Sequence, residues 1–192
     1  MSNEKLKTFD AVQSQIVRHV APVEGLIALG RFNAECFDKH GRLKWKTSEQ
    51  NLVVNVGLQY MCGTALTSTA QITTWYIGLY GAGASNTPAA GDTAALHTGW
   101  TEITPYSNAT RPTCSFAAAT LANPSVATNS ATQASFTINA TATVGGAFLI
   151  SNSTKGGTTG TLFSAADFQS PGDRLVYSGD TLNLTYTLSL AG

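Results

Sequence analysis

The sequence predicts a mainly β chain: an antiparallel β-sandwich or jelly-roll-like domain with an N-terminal arm, a β-hairpin and one or two short helices. Three observations carry this reading. From Ile72 onward, apolar residues recur with a period of two, as on half-buried strands. The apolar runs are short, spaced by roughly ten residues, and separated by Gly, Asn and Pro turns, as in sandwiches and jelly rolls. Finally, charge is concentrated at one end. The first 50 residues hold 8 of the 11 Lys and Arg and 6 of the 11 Asp and Glu, which leaves 8 charged residues between Asn51 and Gly192. Soluble domains are about 25% charged, so a body filled with Thr, Ser, Asn, Ala and Gly suits a protein packed into an assembly or facing the outside.

Residues 1–25 read as an arm and 26–192 as the sandwich domain. In the arm, Phe9, Val12, Ile16 and Val20 fall on one side of a helical period between Gln13, Gln15 and Arg18, and Pro22 closes the segment. A helix this short is marginal alone and must dock, on its own domain or on a neighbour. A hairpin follows over 26–47. Leu26, Ala28, Phe32, Ala34 and Cys36 alternate with Arg31, Asn33 and Glu35, and Asp38-Lys-His-Gly41 supplies the turn. On the return strand Leu43, Trp45 and Thr47 face one way, and Arg42, Lys44 and Lys46 the other. With Lys39, these cations read as the solvated side of the hairpin.

A short buried strand is expected at 51–54. Asn55 is then the expected N-cap of a helix near 55–66, with Val56, Tyr60 and Met61 inward. The main strands fall between 72 and 190. The first, Ile72–Leu79, puts Trp75, Ile77 and Leu79 on one face and Tyr76 and Tyr80 on the other. Residues 81–110 form a long connection with one helical turn after Asp92, the kind of loop that usually makes a binding or assembly surface. Further strands are expected near 112–118, 124–128, 133–139, 143–151, 160–165, 173–177 and 181–190. The last places Leu182, Leu184, Tyr186, Leu188 and Leu190 on one face, with Ala134–Asn139 as its expected partner.

The formal net charge is zero, which implies no general attraction to nucleic acid or anionic lipid. There is no run of about 18 apolar residues and no apolar signal core after Met1, so synthesis in the cytosol is expected. Cys36, Cys62 and Cys114 lack paired spacing and read as small buried hydrophobes. Four N-x-[ST] triplets, from Asn108, Asn139, Asn152 and Asn183, read as products of composition.

Motifs for chemistry are weak. Ser153-Thr-Lys-Gly-Gly-Thr-Thr-Gly-Thr has its Lys before the glycines and a strand after them, so it reads as a hairpin loop and not as a phosphate loop. Asp92, His97 and Glu102 are spaced for neither a helix face nor a strand face. Asp167, Asp173 and Asp180 sit in turns, where Asp is favoured, although hard-ion sites use similar carboxylates. Trp75, Tyr76, Trp100 and Tyr106 could stack on a sugar, but core or subunit contact is the favoured reading. A polysaccharide hydrolase would need two of the few body carboxylates as a pair. The chain is read as not an enzyme, with no catalytic, cofactor-binding or metal residue. The candidate partner-binding residues are Phe9, Val12, Ile16, Val20, Trp45, Trp100 and Tyr106.

Several segments together carry a resemblance: Asn51-Leu-Val-Val-Asn-Val-Gly-Leu, Trp75-Tyr-Ile-Gly-Leu, Asp92-Thr, His97-Thr-Gly-Trp-Thr-Glu, Pro105-Tyr-Ser-Asn-Ala-Thr-Arg-Pro, Val144-Gly-Gly-Ala-Phe-Leu and Ser178-Gly-Asp-Thr-Leu-Asn-Leu-Thr-Tyr-Thr-Leu. Over roughly residues 28–191 the chain resembles small virion structural proteins of tailed bacteriophages, of the head-decoration (cement) or tail-fibre-like kind. That resemblance implies a homo-oligomer at the capsid surface, bound to the major capsid protein. The alternative it leaves is a tail-fibre or tail-adaptor protein that binds a host surface glycan through the 81–110 loop. The first 25 residues fall outside the resemblance.

Overall fold

The computed structural model describes residues 25–81, 87–169 and 172–192; the arm residues Phe9, Val12, Ile16 and Val20 lie outside that range. The chain folds as a β-sandwich. The hairpin comes first, β1 (Ile27–Phe37) and β2 (Leu43–Gln50). Its turn is set by Asp38, whose carboxylate accepts the backbone N–H groups of His40 and Arg42, and by Gly41 at φ +76°. The Arg42 backbone N–H, with the Arg42 guanidinium and the His40 N–H, holds the Asp38 carboxyl down at about 2.

β3 (Leu52–Val53) leads into α1 (Asn55–Leu66), and the remaining strands are β4 (Trp75–Gly81), β5 (Glu102–Ile103), β6 (Thr113–Cys114), β7 (Ser125–Thr128), β8 (Ala134–Thr137), β9 (Ala142–Ile150), β10 (Leu162–Asp167), β11 (Arg174–Val176) and β12 (Thr181–Ala191). One sheet has the order β2-β1-β12-β7, with β8 also on β12. The other has the order β3-β10-β9-β4-β5, with β11 on β9 and β6 on β4. Every pairing within them is antiparallel.

The first sheet follows the alternation of its strands. β1 and β12 pair along their whole length, from Ile27 opposite Ala191 to Phe37 opposite Thr181. Phe32, Ala34, Cys36, Leu182, Leu184 and Tyr186 point inward and are fully buried. β8 joins β12 with Phe136 opposite Leu182, as the sequence predicts. On the outer face the same strands carry a polar lattice, which includes Arg31 on the Ser48 hydroxyl and Glu35 opposite Lys46. Thr128 and Thr187 hydroxyls bond at 2.9 Å, Ser48 donates to Asn33 at 2.6 Å, and Gln133 donates to Thr185 at 3.1 Å.

The second sheet is different, because both of its faces are covered. β9 is buried from Val144 to Ile150 without alternation, the pattern of a strand packed on both sides. Trp75, Ile77, Leu79 and Leu149 face the sandwich interior, while Tyr80, Phe148, Ile150 and Leu162 form a second core on the far side with Trp100 and Ala94. Glycines make room for the rings of that outer core: a Cβ on Gly78 would overlap the Phe148 ring, and one on Gly146 the Tyr80 ring.

Several details differ from the sequence expectations. Strand β4 starts at Trp75, not Ile72. The helical turn expected after Asp92 is not formed in the described residues of that loop. Asn55 is the first helical residue and Val54 holds the cap position with no side-chain cap. The reason is tertiary: Val54 is fully buried and its N–H bonds to the Phe163 carbonyl, so packing on β10 fixes where the helix begins. Cys62 is exposed, unlike Cys36 and Cys114. Lys44 leaves the solvated side of the hairpin. A bulge between the pairs Cys36–Trp45 and Phe37–Leu43 turns it onto Asp180.

Helix α1 packs on β10 through Gly57, where an added Cβ would collide with the Phe163 carbonyl oxygen. In an isolated helix Gly→Ala gains about 1 kcal/mol. Here Gly57→Ala is expected to lose about 1–3 kcal/mol through overpacking, read as a lower urea midpoint. A gain would mean that the helix does not pack as closely as described.

Candidate functional site

The long connection before Arg111 supplies a cover. Its described part, from residue 87, lies over the outer face of the second sheet with Trp100 as the plug. The Trp100 indole N–H donates to the Asp92 carboxylate at 2.9 Å. Its ring packs on Tyr80 and Phe148 at centroid distances of 5.1 and 5.0 Å, with His97 stacked on it at 3.9 Å. The cover is fastened by a buried ion pair. Arg111 and Glu102, 1% and 7% exposed in their side chains, meet through two parallel bonds of 2.9 and 2.6 Å. The guanidinium also donates to the carbonyls of Asn152 and Gly157, and the Gly156 N–H donates to Glu102. The Gly-rich 153–160 loop is thereby bolted to the cover, with its Lys155 donating to the Tyr106 carbonyl at 2.9 Å.

These contacts decide the candidate residues. Trp100 (4% exposed) and Tyr106 (1%) are core residues, which corrects their expected role as partner contacts. Tyr106 stands edge-on to Phe136 at 5.0 Å, and burial pushes its phenol well above the usual tyrosine range. A side chain with no exposed surface has nothing to present to a partner. Trp75 is equally enclosed and Tyr76 half-buried, so the aromatics of this region form no open platform. Trp45 is half-buried. It bridges the sheets, edge-on to Phe168 at 6.5 Å, under the Arg174 guanidinium at 5.7 Å, with its indole N–H 3.4 Å from the Leu175 carbonyl. The missed signal was the unbroken apolar run at 144–150. A strand buried on both faces requires a cover, and 81–110 was the long segment free to supply one.

Four of the polar side chains considered for chemistry, Asp92, His97, Glu102 and Asp180, are held in internal bonds. Asp92 accepts from Trp100 and from the Ala89 N–H, His97 bonds the Trp100 carbonyl, and Glu102 belongs to Arg111. Asp180 accepts from Lys44 and from the Tyr177 N–H, with the Cys36 thiol 3.8 Å away. Burial first, and the Asp180 charge second, push Cys36 up to about 12; burial alone does the same to Cys114. Both thiols are therefore held protonated and unreactive. Among the described residues, no three His, Cys, Asp or Glu side chains are grouped to hold a metal ion.

Two concavities stand out among the described residues. One, of 380 Å³, lies where the ends of β2, β3 and β10 meet residues 87–88, and it carries Arg31, Glu49 and Asp167. The other, of 620 Å³, runs beside α1 and is lined without a single charged residue. No protein-family model, curated protein or solved structure matches the chain.

Two tests follow from the charges. Arg111→Met is expected to cost about 3–5 kcal/mol, because it strands a buried carboxylate. Adding Glu102→Gln should restore part of that loss in urea unfolding; strictly additive losses would mean that the pair is not coupled. Asp167 is the opposite case. Burial, then the Asp173 charge, raise its carboxyl above the ordinary 3.8. The folded state thus favours the protonated form, and a stability penalty grows as pH rises past the unfolded value. Asp167→Asn is expected to raise Tm by about 1–2 °C at pH 7, with the gain vanishing below about pH 3.8. An equal gain at pH 3 would show that ionisation is not its source.

Proposed function

We propose that the protein is a bacteriophage virion structural protein: a capsid cement protein that binds the major capsid protein as a homo-oligomer and stabilises the head. The observation that supports this reading is the use of charge. The body keeps few ionised side chains and holds Asp92, Glu102, Arg111, Lys155 and Asp180 in internal bonds. What is left outside after residue 50 is mostly Thr, Ser and Asn, while the exposed charges gather on the hairpin at Arg31, Lys39, Arg42 and Lys46. Such a surface is suited to lasting contact with companions; no described constellation on it is arranged to turn over a substrate. The bacteriophage assignment itself rests on the sequence resemblance.

The tail-fibre or tail-adaptor alternative places a host surface glycan on the 81–110 loop; with Trp100 and Tyr106 buried, those two rings are not open to stack on a sugar.

Copy number on purified particles tests the proposal. A cement protein is expected on the order of hundreds of copies per head, whereas about 3 to 18 copies would fit the closed symmetries of a tail and sink it. Deleting residues 1–24 is expected to lower head occupancy at least about tenfold, since linked contacts multiply affinity. Full occupancy after deletion would remove the arm from the clamp.

A further inference from the structure

The outer face of the first sheet changes character at Arg31. From there on its cross-strand pairs are polar: Arg31 opposite Thr187, Asn33 opposite Thr185 and Glu35 opposite Asn183. Before Arg31 they are not. Leu29 lies opposite Ser189 and Ile27 opposite Ala191, and across β12 Val126 lies opposite the same Ser189. Directly paired residues share a face. Leu29 and Val126 therefore stand about 10 Å apart, two strand spacings, as the walls of a shallow trough floored by Ser189 and Ala191. Leu29 is 50% exposed, Ile27 is 41% exposed and Val126 is half-buried. The bond between the Thr128 and Thr187 hydroxyls closes the trough at its polar end. Its open end is at Ile27, two residues from Gly25, where the described chain begins.

We infer that this trough is the seat of the chain's own N-terminal arm, with the helical stripe of Phe9, Val12, Ile16 and Val20 laid against Ile27, Leu29 and Val126. The tether names the occupant. Ala21-Pro-Val-Glu-Gly25 joins Val20 to the mouth of the trough, and five residues is an ordinary length for a connection that turns a chain back onto a sheet. A segment on so short a linker is present at an effective concentration of about 1 mM. A second copy or a separate partner at micromolar concentration would need a contact about 1,000-fold tighter to displace it. The chemistry agrees with the tether. Spacings of three, four and four put the arm's four apolar side chains on one stripe, and a helix about 10 Å across rests on both walls at once. The patch is also confined to the end of the sheet from which the arm departs. The inference holds for the free chain and does not rest on the cement reading.

Limited trypsin digestion of the full chain, read by fragment mass, tests this, because Arg18 lies inside the arm. Cleavage after Arg18 is expected to be at least about 30-fold slower in the native chain than in Phe9→Asp with Val12→Asp, since cutting follows the population of the released form. Leu29→Asp with Val126→Asp, at the trough walls, is expected to release the arm equally. A milder wall pair, Leu29→Thr with Val126→Thr, suits a strand and keeps the test open if the Asp pair fails to fold. Protection should be the same at about 100 μM and about 1 μM chain, the mark of a tethered contact. Cys62, exposed on α1, should react with maleimide at one rate whether the arm is seated or released. Equal cleavage of the native chain and the arm variant overturns the inference, as does protection that survives in the folded wall variants. Protection lost on dilution would put the arm on a second copy, and a Cys62 that reacts faster after release would put it on α1; either result sinks the assignment. The cement reading is decided separately, by copy number on heads.

Discussion

The buried pair of Arg111 and Glu102 is the constraint on which the second half of the molecule depends. An ion pair out of water is costly unless its geometry and its remaining hydrogen bonds are complete. Here they are: the guanidinium makes a fork with the carboxylate, reaches two carbonyls, and lies 5.3 Å over the Phe148 ring, while Glu102 also takes the Gly156 N–H. The partners come from β5, the residue before Pro112, and the β9–β10 loop, so one cluster ties three segments that are distant in sequence. With those segments tied, the cover cannot lift and Trp100 stays against Tyr80 and Phe148. Without them the second sheet would present an apolar face to water, the kind of contiguous patch that marks an interaction site or an aggregation hazard.

The same economy runs through the rest of the body. Lys44 and Asp180 join the hairpin to the β11–β12 turn, with Lys44 also 4.4 Å from the Tyr177 ring centre. Asp92 holds the indole of the plug, and Lys155 holds the backbone of Tyr106. Each of these charges stabilises a loop or turn that an all-apolar sequence would leave loosely defined. Low charge is therefore compatible with a well-specified fold: most of the few ions of the body serve as fasteners, Asp167 being the exception.

How much of this was legible in the sequence depended on whether a face had water beside it. β12 alternates throughout, and β1 from Arg31 to Cys36, because one side of their sheet is solvated, so inward residues and the pairing with β8 could be read from period two. The hairpin turn was equally clear, since Asp38 and Gly41 carry its geometry locally. β9 and the cover could not be placed that way. Two-sided burial erases alternation, and Trp100 and Tyr106 look alike in sequence whether they face a partner or a core. The ion pair was invisible for another reason. Glu102 and Arg111 sit nine residues apart, and only the β9–β10 turn, 41 residues after Arg111, completes their bonds. The helix start at Asn55 failed similarly, because a good capping residue was outweighed by the burial of Val54.

A surface built this way determines how the protein can bind. Affinity that rests on ion pairs weakens with salt, since exposed charges further apart than a Debye length (about 8 Å at physiological ionic strength) are screened. Steering by long-range charge is likewise weak for a chain whose formal net charge is zero. What remains is apolar contact and short hydrogen bonds, which act only once surfaces touch and persist across ionic conditions. Individually weak contacts of this sort become durable when many identical copies are held on a lattice. On the proposed cement reading, attachment would rest on such contacts, and differences in affinity would lie in dissociation more than in encounter.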